Sequence, residues 1–226
     1  MSLLINNNIK LLVCDMAGTT INEGGIIYKA IQTTLTNLGF SINNNETKNW
    51  YGRDKNEVIQ SYITANSDKN NSFLIKQAEK DLIKCLEEKY FDNNNVRLVD
   101  KDLLTFFNKL RHNNIKVALN TGYPMKLQSQ IIDHLGMKES IDAYISSEQV
   151  KQGRPHPYMI YKLATDLNIH NTQHIAKIGD TIPDMLEGLN ANCGLTIGVL
   201  SGAENFNSLF PYSNTVIDNI MNLDDL

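Results

Sequence analysis

Apolar and polar positions divide this chain into two textures. Short apolar runs recur at Ile9-Lys10-Leu11-Leu12-Val13-Cys14, Val117-Ala118-Leu119-Asn120, Ala143-Tyr144-Ile145, His174-Ile175-Ala176-Lys177-Ile178 and Thr196-Ile197-Gly198-Val199-Leu200. Runs of this kind form strands buried on both faces of a parallel sheet. Helix-length segments separate them, and that alternation predicts a parallel α/β sheet. Between Asn22 and about Asn95 the period changes: Ile27, Ile31, Leu35 and Leu38, then Leu74, Ala78, Leu82 and Leu86, fall at helical spacing, and no stretch reads as a strand. Gly24-Gly25 and Asn93-Asn94-Asn95 mark its edges with residues that tolerate turns. The pattern predicts an α/β core, Rossmann-like, over 1–21 and 96–226, interrupted by an all-helical cap domain over 22–95.

Composition agrees with that division. A chain of 226 residues is long for one domain and short for two, as a core with an insertion would be. At 42% apolar and 20% charged it is a globular composition. Lys plus Arg at 21 against Asp plus Glu at 25 leaves a net charge of -4, which gives no reason to expect nucleic acid or anionic lipid. The span 22–95 holds 10 acidic and 9 basic residues, so the acidic excess falls on the core. Cys14, Cys85 and Cys193 lie far apart without metal-ligand spacing, a usage that predicts a reducing, cytoplasmic location. No apolar run approaches a membrane span, and the first ten residues hold three consecutive asparagines where a signal peptide needs apolar residues, so no membrane partner is expected.

Ligands of doubly wound α/β proteins gather at the carboxyl ends of the strands. Four such ends carry polar or glycine-containing segments: Asp15-Met16-Ala17-Gly18-Thr19, Asn120-Thr121-Gly122, Gly153-Arg154-Pro155 and Gly179-Asp180-Thr181-Ile182-Pro183-Asp184. Carboxylates of the first and fourth can share a hard divalent cation. Thr121, the Gly122 N–H and Arg154 can hold phosphoryl oxygens beside it, leaving Asp15 to attack phosphorus. Taken singly, each segment has a plainer reading: turn chemistry at Asp15 and Thr121-Gly122, a helix cap at Asp184, a surface ion pair at Arg154.

The order and wording of the four segments resemble the haloacid dehalogenase superfamily of aspartate-nucleophile phosphotransferases, across almost the whole chain. That resemblance implies Asp15 as nucleophile, Thr121 and Arg154 as catalytic phosphoryl-binding groups, and a magnesium site at Asp15, Ala17, Asp180 and Asp184. It also places Gly18, Thr19, Gly52, Gly122 and Tyr123 at the substrate. Most phosphatases of this superfamily carry an acid two residues after the nucleophile, and here that residue is Ala17. A methyl group donates no proton, and general acid assistance is worth roughly 10²- to 10⁴-fold.

The same alanine, the DxAGTT wording of Asp15 to Thr20 and the Arg of Gly153-Arg154-Pro155 resemble the phosphonoacetaldehyde hydrolases, or phosphonatases. In that family a cap lysine forms a Schiff base with the substrate aldehyde, so that the departing carbon needs no acid. Tyr51-Gly52-Arg53-Asp54-Lys55 resembles the lysine loop, which makes Lys55 the candidate, its amine freed by desolvation or by cations such as Arg53. With Asp54 and Glu57 beside it, Lys55 alternatively lies on a solvated helical face. Two features depart from the phosphonatases: Val58 stands where they carry His, and the chain is shorter than is usual for them. The later half, including Gly198-Val199-Leu200-Ser201-Gly202-Ala203, is closer to phosphonatase-like hydrolases whose substrate the motifs do not fix.

The sequence therefore predicts a magnesium-dependent hydrolase of a small phosphonate or phosphorylated metabolite, monomer or homodimer. The alternatives are a phosphatase for a small phosphoester without Schiff-base chemistry, and a catalytically silent binding or regulatory protein of the same fold.

Overall fold

A computed structural model describes residues 1–43, 46–67, 71–92 and 95–224. The chain opens with a short helix α1 (Ser2–Asn6), strand β1 (Leu11–Asp15) and a two-residue strand β2 (Ile21–Asn22). Helices α2 (Ile26–Asn37), α3 (Lys55–Ala65) and α4 (Ser72–Glu87) follow, the last running into a π-turn at Glu88–Asp92. Strand β3 (Arg97–Leu98) then leads to α5 (Leu103–His112), β4 (Lys116–Thr121), α6 (Met125–His134), β5 (Ala143–Ser146) and α7 (Tyr158–Asp166). The chain continues through β6 (Ile175–Gly179), α8 (Ile182–Asn190), β7 (Leu195–Val199), α9 (Phe206–Leu209) and β8 (Thr215–Ile217).

Six strands form one parallel sheet in the order β5-β4-β1-β6-β7-β8, the Rossmann-like architecture expected. The five apolar runs all lie in it; the sixth strand, β8, holds only three half-buried residues and gives no comparable run. Strand alternation sorts the core into two faces. Leu12, Cys14, Leu119 and Ile178 pack with the helical segment, whereas Leu11, Val13, Ala118 and Ile175 pack against α7 through Met159, Ile160 and Leu163.

The helical period of residues 27–38 and 74–86 is realised in α2 and α4, whose Ile27, Ile31, Leu35, Ala78, Leu82 and Leu86 are buried together with Val58, Ile59 and Ile63 of α3. Entry and exit of this segment are tied by the antiparallel pair β2–β3, Ile21 opposite Leu98 and Asn22 opposite Arg97. Asn22 is therefore a strand residue, against the expectation of no strand from that point; two residues are too few for a period to register. Of the asparagine triplet, Asn93 and Asn94 lie outside the described residues. Trp50 is buried against Tyr62, while Phe73 is exposed. Among the described residues no helix is long and apolar enough to cross a membrane.

Candidate active site

Register brings the strand-end segments together. Asp15 closes β1 opposite Asn120 of β4, and β6 lies on the other side of β1, with Lys177 opposite Val13. Since side chains alternate along a strand, Asp15, Asn120 and Lys177 leave the sheet on one face. Arg154, from the loop after β5, reaches into this corner and is buried. Its Nη1 lies 2.7 Å from Asp15 Oδ1 and 3.2 Å from Asp184 Oδ1, and its Nε donates to Glu187 Oε2 at 3.0 Å. Its Nη2 donates to the Asn120 carbonyl at 2.8 Å and to Asn120 Oδ1 at 2.7 Å. A bonded, buried guanidinium replaces the surface ion pair that was the plainer reading.

Asp180 follows β6, and Asp184 lies in the first turn of α8, whose N-cap is Thr181. Carboxylate oxygens of Asp15, Asp180 and Asp184 all fall within 4.8 Å of one another. Asp180 accepts from the Ala203 N–H at 2.7 Å and from the Thr19 hydroxyl at 3.4 Å. Gly18, at φ 83°, and Gly202 close around it, where a Cβ would come 2.5 and 2.0 Å from Asp180 Oδ2. Burial and then the charges of Asp15 and Asp184 push the Asp180 carboxyl well above the ordinary range. Burial likewise raises Asp15, partly offset by Arg154. Burial would raise Asp184 too, but Arg154 and Lys177 more than reverse it and leave it below its usual value. Three converging buried oxygen donors of mutually unfavourable charge are the donor set a hard divalent cation requires. Ala17 has only its main-chain oxygen to add.

The helical segment closes the site from above. The Lys55 N–H donates to the Gly122 carbonyl at 3.1 Å, Arg154 Nη1 reaches the Gly52 carbonyl at 3.4 Å, and the Ser147 hydroxyl bonds Asp54. Close approach requires glycine at both contact points: a Cβ on Gly52 would lie 2.1 Å from Thr181 Oγ1, and one on Gly122 2.5 Å from the Arg53 carbonyl. The cavity left between them is about 10 Å³, lined by Asp15, Ala17, Lys55, Thr121, Tyr123 and Arg154 among others. A cleft of about 310 Å³ adjoins it, sharing Ala17, Tyr28 and Asp180.

Lys55 is 5% exposed, so the solvated-face reading fails. As the first residue of α3, after the Asp54 cap that accepts from the Glu57 N–H at 2.7 Å, it points inward. Its Nζ donates to the Arg53 carbonyl at 2.8 Å and stands 5.4 Å from the Tyr28 ring centroid. Burial depresses its pKa; Asp15 opposes and Arg154 assists that depression. The nearby cation is thus Arg154, whereas the Arg53 guanidinium turns away to Glu57. Val58 lies in the apolar core of the helical segment.

Lys177, Glu187 and Tyr90 are buried here and were not singled out from the sequence, unlike their partners Asn120 and Tyr123. Lys177 Nζ sits 2.8 Å from both Asp184 Oδ1 and Asn120 Oδ1, and Asn120 Nδ2 donates to both oxygens of Glu187. A lysine inside an otherwise apolar strand was the available signal, since buried lysine requires partners. Beside the cavity, the Tyr123 and Tyr90 hydroxyls are 2.9 Å apart, and Tyr90 donates to Glu23 at 3.1 Å. Burial raises both phenols well above their ordinary value. The cleft-lining Tyr28 joins this group, accepting from the Gly52 N–H at 3.3 Å.

The chain resembles phosphonoacetaldehyde hydrolase of Bacillus thuringiensis, 36% identical over 95 residues, a stretch covering 42% of this chain and 36% of that enzyme. It thus matches little more than a third of the length of its curated relatives. Among solved structures, a phosphonoacetaldehyde hydrolase-like protein from Oleispira antarctica superposes with a TM-score of 0.76 at 21% identity, over 96% of this chain and 91% of that one. A hydrolase from Pseudomonas syringae reaches 0.81 at 15% identity, over 96% and 99%. These two likenesses carry the fold. The family model of haloacid dehalogenase-like hydrolases matches residues 12–197, from the strand bearing Asp15 to the strand after Asp184, and the chain belongs to that family of enzymes.

Proposed function

We propose that the protein hydrolyses a small phosphonate aldehyde, in the manner of a phosphonoacetaldehyde hydrolase, with magnesium as its cation. The observation that carries this reading is the burial of the Lys55 amine in the same small cavity as Asp15, beside a residue 17 that has no proton to give. A desolvated, neutral amine attacks a carbonyl. Lys55 condenses with the aldehyde and releases water. A solvent proton on the imine nitrogen makes it cationic; Asp15 then attacks phosphorus, and the electron pair of the breaking carbon–phosphorus bond becomes a carbon–carbon double bond while the carbon–nitrogen π pair passes to nitrogen, giving the enamine of Lys55. Protonation at carbon and hydrolysis of the imine free the lysine, and water cleaves the aspartyl-phosphate.

Arg154 and Thr121 hold the transferring group in line with Asp15. Asp15, Asp180 and Asp184 would hold magnesium, which supplies charge neutralisation at the phosphoryl oxygens. The closed helical segment excludes water during the first transfer. Its free cysteines suit a reducing, cytoplasmic setting.

Borohydride tests the imine. In the presence of phosphonoacetaldehyde it is expected to reduce the imine, abolish activity and leave a mass adduct on the Lys55 peptide. Full phosphonoacetaldehyde turnover by Lys55→Ala would overturn the reading. A phosphoester substrate is the second reading, favoured by the apolar Val58. It predicts turnover of phosphoesters with no adduct.

The magnesium site has its own test. Asp180 has a raised folded pKa, so the folded state holds a proton that the unfolded chain releases, and metal-free stability falls as pH rises above the ordinary carboxyl range. Magnesium at a hundredfold excess over Kd is expected to add about 2.7 kcal/mol. The gain should be larger near about pH 8 than about pH 5, where protons compete. Thermal unfolding with magnesium or chelator reads this, and equal midpoints at the higher pH would remove these carboxylates as the site.

A further inference from the structure

Lys177, Glu187 and Asn120 are fully buried behind the catalytic corner and have no place in the chemistry above. Each is bound to Arg154 or to a partner of Arg154. Glu187 Oε2 takes the Arg154 Nε, Asn120 takes Nη2 twice, and the Asn120 amide is in turn fixed by both Glu187 oxygens. Lys177 Nζ completes the ring at Asn120 Oδ1 and Asp184 Oδ1, each 2.8 Å away, with Glu187 Oε2 at 3.6 Å. The backbone is shaped for this arrangement. Gly188 of α8 faces Lys177, and a Cβ there would come 2.9 Å from Lys177 Cβ and 2.5 Å from Thr196 Cγ2, so glycine lets the helix carrying Asp184 and Glu187 lie close to β6.

Arg154 thus has its Nε and Nη2 held from behind, while Nη1 faces Asp15 at 2.7 Å, with Asp184 Oδ1 at 3.2 Å and the Gly52 carbonyl at 3.4 Å beside it. Without Lys177, Asp184 and Glu187 would have Arg154 as their shared cation, and the guanidinium would be drawn back from Asp15 toward them. We propose that Lys177 and Glu187 are positioning residues, a paired buried frame that aims Arg154 Nη1 at the phosphoryl group. This rests on the reading of Arg154 as a phosphoryl-binding group.

The test is the affinity of the magnesium-loaded protein for inorganic phosphate, measured by titration calorimetry beside thermal unfolding. Glu187→Gln is the decisive variant, because it keeps the side-chain volume and can only remove negative charge from the corner. A purely electrostatic role tightens phosphate binding, whereas loss of aim weakens it. The expected result is a phosphate Kd raised about tenfold or more in Glu187→Gln and in Lys177→Met, with kcat/KM falling in parallel. The double variant Lys177→Met/Glu187→Gln, neutral as a pair, should recover thermal stability but not phosphate affinity.

Unchanged or tighter phosphate binding in folded Glu187→Gln, with only the thermal midpoint altered, would overturn the proposal and leave a structural ion pair. Arg154→Lys separates the two levels. If it binds phosphate as well as the wild type, the fault lies in the reading of Arg154 rather than in its frame. Glu187→Gln carries the test alone if Lys177→Met does not fold.

Discussion

Asp15→Asn is expected to lower turnover by roughly 10⁴- to 10⁶-fold, the range seen when a nucleophile or its partner is removed. Its thermal midpoint should stay level or rise. The asparagine amide is a poor nucleophile toward phosphorus, and the other groups of the corner cannot replace the lost step. Stability moves the other way because burial raises the Asp15 carboxyl above its ordinary value. Its ionised form is therefore penalised by folding at neutral pH, and a neutral isostere relieves that penalty. Steady-state kinetics and thermal unfolding of one preparation read both effects. Activity within about tenfold of wild type would displace Asp15 from the role of nucleophile.

Arg154→Met should act oppositely on stability. Arg154 is buried between Asp15, Asp184 and Glu187, and their combined charge keeps its pKa raised in spite of burial. Removing one partner of a buried charge cluster typically costs about 3–5 kcal/mol, because the opposite charges remain unpaired in a low dielectric. Against a total stability of roughly 5–15 kcal/mol, such a loss would be visible as a large fall in the urea midpoint. Magnesium should return part of it by offsetting the unpaired carboxylate charge. A loss below about 1 kcal/mol would mean that Arg154 is solvated, as a surface ion pair would be. The two variants divide the corner into a residue whose charge folding tolerates and one whose charge folding requires.

The five long strands were legible because buried parallel strands need unbroken apolar runs, and helices α2 and α4 because their apolar residues repeat along one face. The two-residue pair at Ile21–Asn22 and Arg97–Leu98 is too short for any period and is fixed by tertiary position. At the site, Asp15 and Asp180 announced themselves as polar residues at strand ends, whereas Arg154 lies in the loop after β5 and Asp184 in the first turn of α8, and it was the wording of their segments that marked them. The inward turn of Lys55 was not legible, since Asp54 and Glu57 beside it are equally suited to a solvent face. What turns it inward is its place as first residue of α3, pinned by its own N–H on Gly122. Lys177 and Glu187 passed unnoticed because their significance is pairwise, and one sequence does not show which buried lysine meets which buried glutamate.

The cavity of about 10 Å³ holds room for about one water molecule, far less than any phosphonate. On the proposed reading, a substrate that reaches Lys55 and Asp15 together is admitted by a separation of the helical segment from the sheet and its return. The contacts to be broken are those of Lys55 with Gly122, Arg154 with Gly52 and Ser147 with Asp54, made by chain segments that also present the reacting groups. Chemistry and mechanics are consequently tied to the same few residues. On the proposed reading of Lys55, a change that holds it more firmly is expected to slow the opening that releases product as well.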